Sequence, residues 1–558
     1  MLGALLAVAM VGAPPAQAAD EAAALYDPST VWVIHLTLPR TSEEHLEAEP
    51  EGAYQPGEFS IAATTGAPGS EAAFSAPVKT EVRLKGSASF EDLSGKSAFK
   101  LKFKKGERPF GLKKLTLNNM IEDTSMTHET LAYEVAREAG VPAPRTGFAY
   151  VYLNGRDYGM HLDLETMDDQ ALERIFATHF EAALQHLYEG EDGTDVIPGD
   201  ATAFEVDEGE EANIADLEAL ITAVDGGGVE PWATRVAPLA DLTEMTRMWA
   251  MEKYVGQWDG YSGQIGDFQP NNYYLYDDTH GVFQMLPWGM DEAFMEEHHL
   301  AFDGSAGVMF DKCIADATCA ALYWHSLSAV TAAAKGLGLA SRATALDTML
   351  APWQEAEQGD GRFHFTRAQA HAAAVETSEF ATTRPGEAET WLAGHEPPEE
   401  PGSGGEETGG GEEAGGGDER QGPQSQGQSS GSPTASTTGG GATGAPPGHV
   451  PAPHFGRLRK RGAVLGTTLT LGTPGTVSQR ATYVVGGRSH LACSIPAAEH
   501  AAGPVSLRCA MRPSARRLLH SRPLRLRVLT TVRADIGTTT KLPRLVELRR
   551  WPTHPSSS

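Results

Sequence analysis

At 558 residues the chain is long enough for two to four domains, and its formal net charge of −30 is unevenly spread. From Pro451 onward 18 Lys and Arg face 3 Asp and Glu, so the acidic excess lies wholly before that point. An acidic body excludes the usual nucleic-acid binder, which needs Lys and Arg to displace counterions from phosphates, and the asymmetry excludes one uniform globule.

The first twenty residues hold a short apolar run followed by Ala16-Gln17-Ala18. An apolar run closed by an A-x-A cleavage pattern predicts a signal peptide over residues 1–19, although no basic residue precedes it. The run is shorter than the ~20 residues that span a bilayer, and no later segment reads as transmembrane. The expectation is an exported protein, extracellular or held in the cell envelope.

Residues 30–166 read as mostly β with one clear helix. Thr80–Leu84 alternates, and Phe99, Leu101 and Phe103 alternate with Lys100, Lys102 and Lys104. Period two sets the apolar side chains on one sheet face and the lysines on the other. Asp123 or Ser125 can cap a helix running to Ala139, with Gly140 just past its end and Pro142 preventing continuation. Leu131, Val135 and Ala139 form its apolar stripe. Ala149–Leu153, an Asn154-Gly155 turn and Tyr158–Leu164 make a hairpin.

Residues 167–395 read as mainly helical. Candidates lie at Ala183–His186, Asn213–Val224 and Leu242–Val255, with a last short helix at Glu387–Leu392 after Pro385-Gly386. A hairpin interrupts them, with strands Tyr273–Tyr276 and Val282–Leu286 joined by an Asp- and Gly-rich turn. If Tyr276 pairs with Val282, Asn272 pairs with Leu286, and Asn272, Asp259 and Asp291 share the open end of the hairpin. Two acids and an amide at one hairpin end are what phosphoryl transfer uses to hold its base and its metal. Asp259 is the candidate base, and Asn272 and Asp291 are candidate ligands of magnesium, which prefers carboxylate and amide oxygens.

The cation for the phosphates is sought in the lysine row, at Lys100 and Lys102; a solvated strand face is the alternative. Glu134 on the following helix fits the acid that orients such a lysine, or a surface pair with Arg137. Within residues 30–395 neither G-x-G-x-x-G nor G-x-x-x-x-G-K-[ST] occurs. His298-His299 beside Glu296-Glu297 reads as a charged loop, since adjacent histidines cannot share one helix face. Cys313 and Cys319 suggest a local disulfide in an exported chain.

Residues 396–450, rich in Gly, Ser, Pro and Glu, cannot bury enough apolar surface to offset ordering entropy and are expected to be a disordered linker. Residues 451–558 form a basic tail. It could be a surface-binding arm, a small β module or the product of a shifted reading frame; disorder or a shifted frame is the expectation, because no amphipathic pattern is seen to repeat.

Taken in order, these pieces resemble the CotH kinase family, the spore coat protein H-like proteins. The resemblance runs from Val31 to Leu392. VRLKGSAS (Val82–Ser89) is similar to the family's R-x-(R/K)-G-x-S-S, and KSAFKLKF (Lys96–Phe103) to its K-K-S-(Y/F)-K-(L/I)-K-F. Lys113–Thr146 and Val151–Asp168 resemble its D-x-S…L-A-Y-E…G-V-P-A-P-R and Y-(V/L)-N-G…L-x-E-x-(V/I)-D stretches. WDGY, NNYYLY and PWGMDEAF resemble its D…N-N-Y-Y-L-Y…P-W-D-x-D-x-A-F.

The resemblance implies an α+β, two-lobed protein-kinase-like fold, with a β-rich N-lobe over 30–166 and a mainly helical C-lobe over 167–395. It implies an atypical protein kinase using ATP and Mg²⁺ or Mn²⁺ on Ser/Thr of a partner protein. Lys100 or Lys102 would contact phosphates with Arg83 nearby, Glu134 would be the helix acid, and Glu165 would fall near the hinge that faces the adenine. Asp259 would be catalytic, with Asn272 and Asp291 at the metal. Two positions depart from the family: Gly289 stands at the first acidic place of P-W-D-x-D, and His128 stands where the family has Arg. Gly289 opens a second expectation, a pseudokinase acting as a surface, coat-like or adhesive binding protein.

Overall fold

The computed structural model describes residues 20–397, apart from short stretches of which 264–269 and 296–300 are the longest, and much of 454–548. The signal-peptide segment, nearly all of the Gly/Ser/Glu-rich linker and the His298-His299 pair lie outside the described residues.

The first half is built on β1 (Val31–Thr37), α1 (Arg40–Ala48), β2 (Gln55–Ala63), β3 (Val78–Lys85), β4 (Ala98–Phe103), β5 (Lys114–Asn118), α2 (His128–Glu138), β6 (Thr146–Leu153) and β7 (Arg156–Leu164). The strands close into a barrel in the order β1-β2-β3-β4-β5-β7-β6, sealed by parallel pairing of Val31–Leu36 with Phe148–Leu153. The period-two reading holds residue by residue: Val82, Leu84, Phe99, Leu101, Leu115 and Leu117 are buried in one core. The charged positions between them face outward. Asn154 and Gly155, both at positive φ, turn β6 into β7, as a two-residue hairpin loop requires. The short helix α1 was not foreseen.

The second half comprises α3 (Asp169–Phe176), β8 (His186–Gly190), β9 (Glu205–Glu208), α4 (Ala215–Asp225), α5 (Trp232–Val236), α6 (Leu242–Val255), β10 (Tyr273–Asp277), β11 (Phe283–Pro287), α7 (Val308–Ala315), α8 (Ala317–Leu337), α9 (Leu339–Ala356) and α10 (Arg367–Gly394). Its sheet runs β11-β10-β8-β9. Helix α2 joins the halves: Leu131 and Val135 share one core with Met248, Trp249, Leu275, Met285 and Tyr323. The molecule is thus mixed α/β, β-rich first and helical after.

Three local expectations change. Gln185 and His186 lead into or begin strand β8 rather than ending a helix, because they lie beside the hairpin strand β10. Pro385 does not start a new helix but lies inside α10. Its neighbour Arg384 is buried and donates to the carbonyls of Tyr254 (3.0 Å) and Lys253 (2.6 Å), which holds the helix across the proline. Cys313 and Cys319 form a disulfide at the α7–α8 corner.

The tail is the largest correction. It carries β12 (His454–Phe455), β13 (Arg459–Arg461), β14 (Val464–Leu471), β15 (Gly475–Val485), β16 (Arg488–His500), β17 (Gly503–Ala510), β18 (Leu524–Ala534) and β19 (Thr539–Leu548), arranged in two four-stranded sheets. Leu465, Leu469 and Leu471, then Val505, Leu507 and Cys509, then Leu524, Leu526, Val528 and Val532 are buried. The alternating pattern is present, but Arg and Thr fill the intervening positions and mask it. A disulfide joins Cys493 to Cys509 across two of these strands.

Candidate functional site

The loop that carries Asp259 follows α6, which ends at Gly256 in the left-handed conformation (φ 69°), a backbone geometry glycine adopts without cost. Buried Glu252 then holds the loop. Its carboxylate accepts from the Tyr261 N–H (3.1 Å), the Ser262 N–H (2.7 Å) and the Ser262 hydroxyl (2.8 Å). Burial pushes the Glu252 carboxyl up to about 7, with these donors opposing the rise.

Asp259 Oδ2 accepts from the side-chain amides of Asn271 (3.1 Å) and Asn272 (2.9 Å), and Asn272 also donates to the Asp259 carbonyl (3.0 Å). The hairpin register differs from expectation: Tyr273 pairs with Pro287 and Tyr276 with Gln284. The shift is by two residues, so every side chain keeps its face. The Trp288 N–H donates to the Asn272 carbonyl (3.0 Å), and Asn272 still sits at the open end with the segment leading to Asp291.

That segment turns at Gly289, in the left-handed region at φ 53°. Gln257 donates to the Gly289 carbonyl (2.6 Å), tying the two loops together. His128, at the start of α2, donates from Nδ1 to the Asp291 carbonyl (3.1 Å) and meets the Thr377 hydroxyl through Nε2 (2.9 Å). Asp123 caps this end of α2 by accepting from the His128 N–H (2.7 Å). Thus the residue that replaces the expected Arg has a positioning contact of its own. Burial, then the carboxylates of Glu129, Glu122 and Glu292, push the Asp291 carboxyl well above the usual range. These four acids therefore share one neighbourhood.

Arg83, Lys100 and Lys102 line the basic face of the barrel. Arg83 lies directly across from Lys100, and Glu81 from Lys102. The Tyr54 ring lies under the Arg83 guanidinium (5.0 Å) and the Lys102 ammonium (4.2 Å). Arg83 Nε is buried with no acceptor.

A barrel cation linked to these acids is absent from the sequence-based expectation. Lys85, two residues beyond Arg83 on the same face, donates to Asn118 Oδ1, and Asn118 donates on to Glu129 Oε2 (3.0 Å). Burial, then Lys100, lowers the Lys85 ammonium to about 8, while Glu129, Asp291 and Glu189 oppose that shift. The signal was available: Arg83-Leu84-Lys85-Gly86 stands in the first family-like stretch, in phase with Arg83.

Two of the expected residues have other partners. Glu134 forms an ion pair with Arg342 of α9 (2.8 Å from Nη2, 3.1 Å from Nε) and does not orient a barrel lysine. Glu129 is the α2 acid that reaches the lysine. Five residues separate the two, about 140° around a helix, so they occupy different faces. Glu134→Gln is expected to cost about 2 kcal/mol of stability by leaving a partly buried guanidinium short of its partner, with nucleotide affinity unchanged; urea denaturation beside calorimetric titration checks both. Glu165 stands where expected along the chain, just after β7. Its carboxylate is bound by Arg145 (2.8 Å) and Arg174 (2.6 Å). Burial would raise its pKa, but Arg174 and Arg145 more than offset this and hold it below the usual range.

One further cation enters from the tail. Arg480 on β15 donates to Glu122, and Glu292 and Asp259 also act on its charge. A guanidinium thus lies among these acids. Glu129 Oε1 is buried and has no hydrogen-bond donor. A carboxylate oxygen short of a partner and a cation drawn among the acids fit a site for a hard divalent cation.

A profile of the family described as CotH kinase protein matches residues 82–386. The inner spore coat protein H of Bacillus subtilis (strain 168) is 23% identical over 215 residues, which is 37% of this chain and 56% of that protein. The chain thus spans a little over half the length of that relative.

Proposed function

The chain belongs to the CotH kinase protein family, and from that premise we propose that its cleft binds ATP with Mg²⁺ or Mn²⁺ and transfers the terminal phosphoryl group to Ser or Thr of a partner protein. Barrel and helical half are then the two lobes of a kinase-like fold, and the cleft lies between them. The observation that carries this reading is the connected set Lys85–Asn118–Glu129 beside Asp291, with Asp259 anchored at the neighbouring hairpin end. It supplies an ammonium for phosphate, carboxylates for a metal and a carboxylate for a hydroxyl proton, the three parts the reaction needs.

In this reading Lys85 and Lys100, with Arg83, neutralise phosphate oxygens. Asp259, held by Asn271 and Asn272, accepts the proton of the attacking hydroxyl. Asp291 and Glu129 would hold the divalent cation, with Asn272 beside them. When bound, that cation supplies charge neutralisation of the phosphates. Titration of the purified full chain with a non-hydrolysable ATP analogue and Mn²⁺ tests it. The expected result is saturable binding that weakens at least tenfold in Lys85→Met; no binding with either metal would sink the reading.

Arg480 competes for the same acids. Arg480→Ala in the full chain is expected to tighten Mn²⁺ binding several-fold by removing a cation that already partly neutralises them. Equal affinity in the two proteins would show that the guanidinium does not occupy the metal's place.

A second reading, a binding protein with little or no transfer, is favoured by Gly289. A Cβ there would lie 2.6 Å from Asn272 Oδ1, so the Asn272 carboxamide fills the space that a side chain at 289 would need. In either reading the partner is a protein of a surface or coat-like layer and the chain is exported to the cell envelope or beyond. The naming of the relative as a spore coat protein supports the coat-like layer. Among the described residues no helix is long and apolar enough to cross a membrane.

A further inference from the structure

The hairpin's other end holds a second polar cluster that the phosphoryl-transfer reading does not use. His186 opens β8 and pairs across the sheet with Asp277, the last residue of β10. Asp216, in the first turn of α4, reaches over both. Its Oδ2 lies 2.7 Å from His186 Nδ1, and its Oδ1 accepts from the Tyr188 hydroxyl at 2.7 Å. One ligand-type atom from each of His186, Asp216 and Asp277 lies within 4.8 Å of the other two. From Asn272 to Asp277 is five strand steps, roughly 17 Å, so this cluster is separate from the cleft.

The geometry points to a divalent transition-metal site, of the zinc or manganese class, formed by His186, Asp216 and Asp277. The donor set is one imidazole nitrogen with carboxylate oxygens, which suits such ions. Asp277 is 6% exposed and its Oδ1 is buried with no hydrogen-bond donor. That atom is the independent sign that a ligand is missing, since a buried carboxylate oxygen without a donor is costly. Tyr188 would act as the outer partner that fixes the Asp216 carboxylate, the usual arrangement around metal ligands.

The ion would tie α4 to the β8–β10 edge of the sheet.

The test uses the full chain, stripped with EDTA and titrated with Zn²⁺ and, separately, Mn²⁺, followed by calorimetry and thermal melting. Uptake with a rise of several degrees in Tm is expected. Two uptake events are then expected: His186→Gln and Asp277→Asn should each weaken one of them at least tenfold and spare that of the cleft, whereas Asp291→Asn should do the reverse. Asp277→Asn should also melt higher than the metal-free parent, because it removes one of two facing carboxylates. That is a gain which loss of a merely structural contact would not give, and it guards against a variant that simply fails to fold. No Tm rise with either ion, or uptake unaltered in both variants, overturns the site. So does loss of that same uptake event in Asp291→Asn, which would assign the ion to the cleft.

Discussion

Asp259→Ala is expected to lower phosphoryl transfer by about 10²–10⁴-fold, the range a positioned general base supplies, while nucleotide affinity stays within twofold. The asymmetry follows from the loop. Its fold rests on Glu252, which grips Tyr261 and Ser262 from α6, so removing the Asp259 carboxylate leaves the loop in place. What is lost is the acceptor that Asn271 and Asn272 hold at the hairpin end. Asn272→Ala should be intermediate, since Asn271 still donates to the same oxygen. Transfer of label from γ-phosphate ATP, measured beside analogue titration, separates the two effects. Unchanged transfer in Asp259→Ala would remove the base assignment and leave the cleft as a binding site alone.

How far such assignments can be read from sequence depends on which physical constraint fixes each residue. The hairpin end was legible because faces survive register error: a two-residue slip in pairing left Asn272 and Asp259 together. The barrel's inner face was legible for the same reason, since period two needs no partner to be known. Acid and lysine were not. Glu129 and Glu134 sit on one helix, and only packing against α9, which brings Arg342 to Glu134, decides which of them faces the cleft. Lys100 and Lys102 form the conspicuous row, but Lys85 lies at the end of its strand, where it reaches Asn118 at the end of β5. In the tail, burial alternates along LRLRV at Leu524–Val528. The arginines there are the outward half of a strand, and their density hides the alternation.

Gly289→Asp is expected to lower transfer, not restore it, although it supplies the acid the family places there. Residue 289 has φ 53°, where a non-glycine residue costs about 1–2 kcal/mol, somewhat less for Asp. The new Cβ would also meet Asn272 at 2.6 Å from Oδ1, 2.7 Å from Cγ and 3.1 Å from Nδ2. These atoms belong to the end of a side chain, so Asn272 can swing aside. In doing so it gives up its bonds to the Asp259 carboxylate and carbonyl. The gain of a possible metal ligand is then set against a loosened base. Gly289→Ala, which imposes the same displacement without a carboxylate, separates the two. Both variants should lose roughly 2 kcal/mol of stability, combining the backbone cost with the displaced hydrogen bonds. Transfer in Gly289→Asp should exceed that in Gly289→Ala yet stay below the parent. Transfer above the parent would mean that Asn272 moves without harm and that the chain lacks only one ligand. Equal loss in both variants would mean that position 289 no longer faces a metal, and that the Asn272 carboxamide has permanently taken the place of the missing acid.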